Sequence, residues 1–243
     1  MKMWTFAGRN TKEILRDPLN LAFGLGFPLV LIGLLSAIQA NVPVALFEIQ
    51  HLTPGITVFG LSFLTLFSAT LIAKDRGSSL LRRLYTTPLT PMDFILGYTL
   101  PVIPIAIVQC TVCYIAAILL GLPVTVNILY GILFILPVAF LYIALGLLCG
   151  SVLNDKQVGG VCGALLTNLS AWLSGIWFDL ELVGGVFQKI AYALPFVHAV
   201  EMERAVLRGS FRDAFSHLWW VLGYALVLLA AAVWLFLRQM KRQ

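Results

Sequence analysis

The sequence predicts an all-α, polytopic membrane protein, and three observations carry that prediction. Of its 243 residues 60% are hydrophobic and only 11% are charged, whereas soluble domains carry about 25% charged residues. Residues Ile49–Ala73 and Phe94–Asn154 contain no Asp, Glu, Lys or Arg. A bilayer core needs about 20 apolar residues in a helix, and these runs are continuous, which is not the alternating pattern of a membrane β-barrel.

The apolar runs divide into six predicted transmembrane helices within a single membrane domain, residues 1–243. A turn at Gly121 and Pro123 splits the longest uncharged run in two, because glycine and proline interrupt helices. The predicted spans are Leu19–Ile38, Gly55–Ala73, Tyr98–Leu120, Ile128–Ser151, Gln157–Trp177 and Trp219–Leu237.

The first 18 residues predict an amphipathic helix that lies on the membrane surface. The basic residues of this segment are Lys2, Arg9, Lys12 and Arg16, and its apolar residues recur at near-helical spacing: Met3, Trp4, Ala7, Ile14 and Leu15. An apolar face with Trp at headgroup level is typical of an interfacial helix. The alternative is a frayed N-terminal tail.

The distribution of basic residues predicts that both termini lie in the cytoplasm. Six spans place the two termini on one side, and with the N-terminus inside, 12 of the 16 Lys and Arg residues fall in internal segments. Cytoplasmic segments carry an excess of Lys and Arg. The same count places the segment of residues 74–97, here called the charged segment, in the cytoplasm.

The charged segment has the features of a short amphipathic helix between spans two and three. Ser78 or Ser79 can cap its start, and Pro88 and Pro91 end it. Its apolar side consists of Leu80, Leu81 and Leu84. Such a helix can dock into a groove of another protein, and the alternative is an ordinary solvated loop.

Residues 178–213 predict a helical hairpin between spans five and six, which either re-enters the outer side of the membrane or lies on its surface. The segment contains Gly184, Gly185 and Pro195 and nine charged residues. It is too interrupted for a further crossing, since irregular backbone within a membrane needs protein or water around it.

No catalytic, metal-binding or phosphate-binding motif is found in the sequence, and no basic domain suited to nucleic acid. All four cysteines lie in apolar runs, which predicts buried thiols instead of a redox site. One enzymatic alternative remains, a membrane-embedded enzyme acting on lipid headgroups through His198, Glu201 and Glu203. The other interpretation of these three residues is an interfacial group that caps a short helix.

Two helix faces are candidates for contact or transport. Span five has a small-residue face consisting of Gly159, Gly163, Thr167, Ser170 and Ser174. Small residues four apart let helices approach closely in lipid, either within the subunit or at a seam with a second copy. Asn168 and Trp172 share the neighbouring face. Span two carries Phe59, Phe63 and Phe67 on one face, which either pack internally or, with Asn168 and Trp172, line a substrate path.

Two stretches resemble the type-2 ABC transporter permease family, the transmembrane subunits of bacterial ABC exporters. The first is the cluster at residues 75–84, followed by Thr87-Pro88 and Leu96-Gly97. The second is residues 173–178, followed by Gln188, Ile190, Leu194-Pro195 and Glu203-Arg204. The sequence departs from the family pattern at three positions. Lys74 stands where an acidic residue is common, and Asp179 and Gly185 stand where prolines are frequent.

The resemblance implies a permease that exports an amphiphilic substrate, such as a drug, lipid, peptide or lipid-linked glycan, across the bacterial cytoplasmic membrane. Its partners would be a separate ABC ATP-binding subunit, a second permease copy in a homodimer, and membrane lipid. ATP and magnesium would bind the partner, with no cofactor on this chain. The residues expected to couple to the ATPase are Asp75, Arg76, Gly77, Leu80, Leu81 and Arg82.

Overall fold

A computed structural model describes residues 2–42, 45–78 and 90–240, and the regular structure within these ranges is entirely helical. The α-helices, numbered in chain order, are α1 (Lys2–Leu15), α2 (Pro18–Leu21), α3 (Phe27–Asn41), α4 (Ile49–Leu61), α5 (Phe63–Gly77), α6 (Pro91–Thr99), α7 (Val102–Leu119), α8 (Val126–Val152), α9 (Asp155–Val158), α10 (Thr167–Trp172), α11 (Leu180–Val183), α12 (Gly185–Ala193), α13 (Pro195–Leu207) and α14 (Phe211–Met240). Two π-helical segments, Ala22–Gly26 and Gly159–Leu166, and a 3-10 turn, Ala45–Phe47, complete the described structure.

Five stretches of the described chain are long and apolar enough to cross a membrane, which confirms a polytopic helical protein. They are Pro18–Asn41, Ile49–Gly77, Met92–Leu119, Val126–Val152 and Phe211–Arg238. The five correspond to the predicted spans one to four and six. The predicted fifth span is helical from Asp155 to Trp172, but its polar first turn keeps it outside these five, so the count of six stays a prediction.

Three of the spans begin at least six residues earlier than the sequence predicts. The second starts at Ile49 instead of Gly55, with Pro54 inside the helix. The third starts at Met92 instead of Tyr98, and the last starts at Phe211 instead of Trp219. Polar residues such as His51 and Arg212 suggested loops at these positions. The helices continue through them because a helix satisfies its own backbone hydrogen bonds whatever the polarity of its outer residues.

Helices α5 and α8 approach each other closely at the centre of the bundle. A Cβ atom added to Gly146 or Gly150 would lie 2.7 Å from the carbonyl oxygen of Thr65 or 2.8 Å from that of Ala69. The hydroxyl of Thr65 donates to the carbonyl of Tyr142 at 3.0 Å. Two glycines four residues apart on α8 therefore allow the backbone contact, as in other small-residue helix pairs in membranes.

The segment between the fifth and last predicted spans folds into the short helices α11, α12 and α13. Helix α13 packs against α4, α8 and α14, and most of its side chains are buried. This packing gives the segment a fixed place in the bundle. Its depth in the membrane, and hence its re-entrant character, stays a prediction.

Helix α1 is present over Lys2–Leu15, and one side of it is buried against the bundle. Phe6, Asn10 and Ile14 lie on the buried side, while Trp4 and Leu15 are exposed. The helix packs mainly against α6. Its position at a membrane surface stays a prediction.

Candidate coupling site and the polar clusters of the bundle

The N-terminal helix is held against α6 by one aromatic and one amide side chain. The Phe6 ring contacts Phe94 and Tyr98 edge to face, with ring centroids 5.7 and 5.0 Å apart. The buried amide of Asn10 donates to the carbonyl of Gly97 at 2.9 Å. A Cβ atom on Gly97 would collide with the Phe6 ring, so the glycine is what lets α1 approach.

Asp75 joins three helices at the end of α5. Its carboxylate is almost completely buried and accepts a hydrogen bond from Arg9 Nη1 at 2.6 Å and from the Tyr98 hydroxyl at 3.0 Å. Arg9 lies on α1 and Tyr98 on α6. We call Arg9, Asn10, Asp75, Gly97 and Tyr98 the Asp75 cluster.

The charges around the Asp75 cluster are paired. Burial lowers the pKa of Arg9, but its hydrogen bond to Asp75 and the charge of that carboxylate outweigh burial, so the pKa of Arg9 is raised. Arg9 is also 3.8 Å from Glu13, and Lys74 is 3.7 Å from Asp17. Because a buried carboxylate without its cation is costly, α1 cannot leave α5 without breaking a charged contact.

Arg76 connects α5 to the end of α8. Its Nη1 donates to the carbonyl of Gly150 at 2.8 Å and lies 3.5 Å from that of Leu153. The last carbonyls of a helix lack intrahelical partners, and a cation there also complements the helix dipole. Gly77 is exposed, with no atom within 4 Å of a Cβ placed there.

Asp75 and Arg76, two of the predicted coupling residues, therefore make contacts inside the subunit. Both join the end of α5 to other helices, as described above. The remaining predicted coupling residues, Leu80, Leu81 and Arg82, lie outside the described residues.

The phenylalanines predicted for a substrate path are buried within the subunit. Phe59 and Phe63 pack edge to face at 5.9 Å, and Phe27 lies about 6 Å from each of them. Phe67 fills the space beside Gly24, where a Cβ atom would meet its ring at 2.6 Å. Asn168 and Trp172, by contrast, are exposed, so the single chain does not bring all five residues to one surface.

The small-residue face of the predicted fifth span is divided between the interior and the surface. Thr167, Ser170 and Ser174 are buried inside the subunit, and a Cβ on Gly163 would lie 3.4 Å from Leu66. Gly159 is exposed and nothing lies within 4 Å of its Cβ position. A second, outward face of the same segment consists of Gly160, Ala164, Asn168 and Trp172.

At the other end of the second span, Arg204 connects α13 to two neighbouring segments. Its guanidinium donates to Glu201 at 2.7 Å, to the carbonyl of His51 at 3.3 Å and to the carbonyl of Gly175 at 3.3 Å. Most of its donors therefore have protein partners, and this arginine fixes α13 to the start of α4 and to the loop after α10.

Glu203 is completely buried between α13, α7 and α8. One carboxyl oxygen accepts a hydrogen bond from the Tyr114 hydroxyl at 3.2 Å, and the other has no hydrogen-bond partner. A Cβ on Gly131 would lie 2.6 Å from the Tyr114 oxygen and 3.3 Å from Glu203. The interpretation of Glu203 as an interfacial capping residue is wrong, because it points into the packed interior.

His198 forms a pair with His217 that joins α13 to α14. Their Nδ1 atoms are 2.9 Å apart, and Nε2 of His198 lies 3.0 Å from the carbonyl of Tyr192. A carbonyl only accepts, so Nε2 of His198 carries the proton and its Nδ1 accepts from His217. The Trp220 ring stacks on His198 at 4.7 Å.

The three residues of the enzymatic alternative thus have different partners. His198 contacts His217, Glu201 contacts Arg204 and Glu203 contacts Tyr114. Across the residues that the structure describes, no group of three His, Cys, Asp or Glu side chains is placed to hold a metal ion.

Sequence reasoning missed three members of the Asp75 cluster. Arg9 was assigned only to the basic face of α1, and Asn10 and Tyr98 were not singled out. A polar residue on the apolar side of an amphipathic helix was a usable signal, because such a residue needs a buried partner. Asn10 lies on that side, between Phe6 and Ile14.

Comparison with known proteins assigns the chain to a family. No curated protein matches the sequence significantly. The family model described as ABC-2 type transporter matches residues 1–207. Those residues include the Asp75 cluster, the charged segment and α13. The chain belongs to the ABC-2 type transporter family, as a transmembrane permease subunit.

Proposed function

We propose that this chain is the transmembrane half of an ATP-driven exporter that moves an amphiphilic substrate outward across the bacterial cytoplasmic membrane. The family supplies membrane components that lack a nucleotide-binding domain of their own and normally work with an ATP-binding subunit. ATP and magnesium would bind that subunit. The observation that carries the proposal is the Asp75 cluster, which links three helices where the charged segment begins and ends.

Coupling in this proposal runs through the helix ends around the charged segment. The segment, residues 74–97, begins in the last turn of α5 and ends within α6, and Asp75 ties both helices to α1 through Tyr98 and Arg9. A partner that pushes on the charged segment would therefore move α1, α5 and α6 together. Asp75 is buried and acts through its neighbours, which leaves direct contact with the partner to Gly77 and to the predicted residues Leu80, Leu81 and Arg82.

A homodimer is the second part of the proposal. The outward face of the predicted fifth span carries Gly160 and Ala164 four residues apart, with Asn168 one turn further. Small residues at this spacing allow close helix contact. The Asn168 amide donates one hydrogen bond to the carbonyl of Ala164 in its own helix, and its amide oxygen can accept from a polar group across the interface. A second copy seated on this face would provide both contacts, with Trp172 at the interface where an amphiphile could pass.

The test is reconstitution of the chain with the ABC ATP-binding subunit that co-purifies with it from native membranes. Proteoliposomes holding both proteins should move a fluorescent amphiphile against its gradient only with ATP and magnesium. Leu81→Asp should abolish transport and weaken retention of the ATP-binding subunit, whereas Leu182→Asp, at an exposed position of α11 outside the spans, should leave that subunit bound. Transport by the permease without its partner would refute the proposal.

Two further measurements test the predicted orientation of the chain in the membrane and the proposed dimer interface. Gly77→Cys should react with an impermeant maleimide in inside-out vesicles and not in intact cells. Ala164→Cys should form a disulfide-linked dimer in membranes after mild oxidation. A matched Ala231→Cys variant on α14 should not.

A further inference from the structure

An apolar groove of 490 Å³ lies between α1, the start of the first span and the α6–α7 junction. Its α1 wall consists of Trp4, Ala7, Gly8, Thr11 and Leu15, and Leu25 and Pro104 are among the residues opposite. The volume is within the range of about 300–1,000 Å³ that small-molecule sites occupy. Nothing lies within 4 Å of a Cβ placed on Gly8, so the groove is open at that position.

The walls of the groove offer almost nothing for a polar ligand. Thr11 is the one hydroxyl in its lining, and that hydroxyl donates to the carbonyl of Ala7 at 3.0 Å. Trp4 and Leu15 are largely exposed at its edge. The part of a ligand that enters the groove must therefore be apolar, because a buried polar group without a partner is costly.

Two basic residues flank the groove without an acidic partner. At 3.6 residues per turn, the five α1 wall residues span about 100° of the helix, and Lys12 and Arg16 lie about 40° and 80° beyond Gly8, at one edge of this wall. Both are exposed, and neither forms an ion pair within the described residues. The nearby acids are already engaged, Glu13 with Arg9 and Asp17 with Lys74.

We propose that this groove binds one acyl chain of an anionic phospholipid, whose phosphate lies beside Lys12 and Arg16. The apolar walls select the chain, and the two unpaired cations select a negative headgroup over a zwitterionic one. The inference rests on the proposed position of α1 at the cytoplasmic membrane surface, where anionic lipids attract basic residues.

A lipid in this groove would influence the same helices that the Asp75 cluster links. It contacts α1 on one side and the junction before α7 on the other. Bound lipid would hold α1 in its place beside α6, so the cytoplasmic leaflet would act as a structural ligand of the permease.

The test uses the full-length protein in nanodiscs of equal phosphatidylglycerol and phosphatidylcholine, followed by native mass spectrometry. We expect one phosphatidylglycerol per chain to remain bound at collision energies that remove phosphatidylcholine. A photoactivatable acyl chain on phosphatidylglycerol should label peptides of α1 and α7. Neither measurement requires transport or the ATP-binding subunit, so each can fail while the proposed function stands.

Two variants with matched controls decide the outcome. Gly8→Trp should fill the groove and abolish retention and labelling, whereas Gly33→Trp, also with nothing within 4 Å of its Cβ, should not. Lys12→Gln with Arg16→Gln should lower the preference for phosphatidylglycerol roughly 25-fold, at about fivefold per cation. Lys189→Gln with Arg212→Gln should leave it unchanged.

Each contrary outcome overturns the proposal. Equal retention of both lipids would show that Lys12 and Arg16 select no headgroup. Labelling that persists in Gly8→Trp would show that the chain lies elsewhere. Labelling by a neutral acyl probe as strong as by phosphatidylglycerol would assign the groove to any apolar molecule, including the exported amphiphile.

Discussion

The Arg9–Asp75 contact makes a quantitative prediction for a double-mutant cycle. Asp75 is 2% exposed, and its carboxylate accepts from Arg9 at 2.6 Å and from Tyr98 at 3.0 Å. Arg9→Met leaves the carboxylate with Tyr98 alone, and Asp75→Asn removes its charge. The cycle of these two changes isolates the energy of the pair.

The expected coupling free energy follows from how deeply the Arg9–Asp75 pair is buried. A hydrogen bond to a charged group contributes roughly 1.5–3 kcal/mol, and breaking a fully buried ion pair costs roughly 3–5 kcal/mol. The Arg9 side chain is 38% exposed, so water reaches one side of the pair and the lower range applies. We expect each single variant to lose about 2 kcal/mol of unfolding free energy, and the double variant also about 2 kcal/mol, a coupling of about 2 kcal/mol.

The assay is equilibrium unfolding of the purified protein in mixed micelles, monitored by tryptophan fluorescence. The control cycle is Lys74→Met with Asp17→Asn, whose charged atoms are 3.7 Å apart and more exposed. Exposed pairs couple by about 0.2–1 kcal/mol. An Arg9–Asp75 coupling no larger than that of the control would refute the view that this pair locks α1 to α5.

Three further predictions concern the interior of the bundle. Gly150→Leu should prevent the α5–α8 contact and lower the yield of folded protein in membranes, because a Cβ there already meets backbone at 2.8 Å; an unchanged melting temperature would contradict the packing. Glu203→Gln should keep the Tyr114 hydrogen bond and lower the free energy of unfolding by less than about 1 kcal/mol. Tyr114→Phe leaves a buried carboxyl without a partner and should lower it by about 1–3 kcal/mol. Equal thermal stability of the two variants would contradict this role of Tyr114. Burial lowers the pKa of His198, so the unfolded chain takes up a proton first and stability should fall as pH drops below about 6.5. Protonated His198 would also place a proton against the Nδ1–H of His217, and a His198→Gln variant should show a weaker pH dependence in melting curves.

The positions of the spans were predictable because each depends on the composition of one continuous stretch of the chain. A membrane of fixed thickness requires long runs without charge, and the runs before Lys74 and after Asp93 meet that requirement. The ends were less accurate, since polar residues such as His51 and Arg212 can lie on a helix that extends beyond the apolar core. The segment from Asp155 to Trp172 shows the limit, because its helix is short and begins with a charged turn.

The direction in which a helix face points was not predictable from spacing alone. Thr167, Ser170 and Ser174 share a small-residue face with Gly159, yet the first three are buried and Gly159 is exposed. Periodicity identifies which residues share a face, but the neighbouring helix decides what that face contacts. The pair Gly146 and Gly150 has the same four-residue spacing, and a Cβ on either glycine would lie within 2.8 Å of the α5 backbone.

The Asp75 cluster depends on contacts between distant parts of the chain. Arg9 and Asp75 are 66 residues apart, and a charge count assigns each of them to a surface. Only the fold shows that Asp75 is covered and that Arg9 neutralises it. Glu203 was placed at an interface for the same reason, since a sequence does not reveal that Tyr114 and Gly131 leave room for a carboxyl inside the bundle.

The most direct test of the account is the amount of substrate moved per ATP hydrolysed when the Asp75 cluster is broken. Asp75→Asn, reconstituted with the ATP-binding subunit, should keep ATP hydrolysis near the wild-type rate while transport falls at least tenfold. The variant Asp17→Asn, in the more exposed pair with Lys74, should keep both. Full transport by Asp75→Asn at an unchanged ratio of substrate to ATP would show that force does not pass through this cluster.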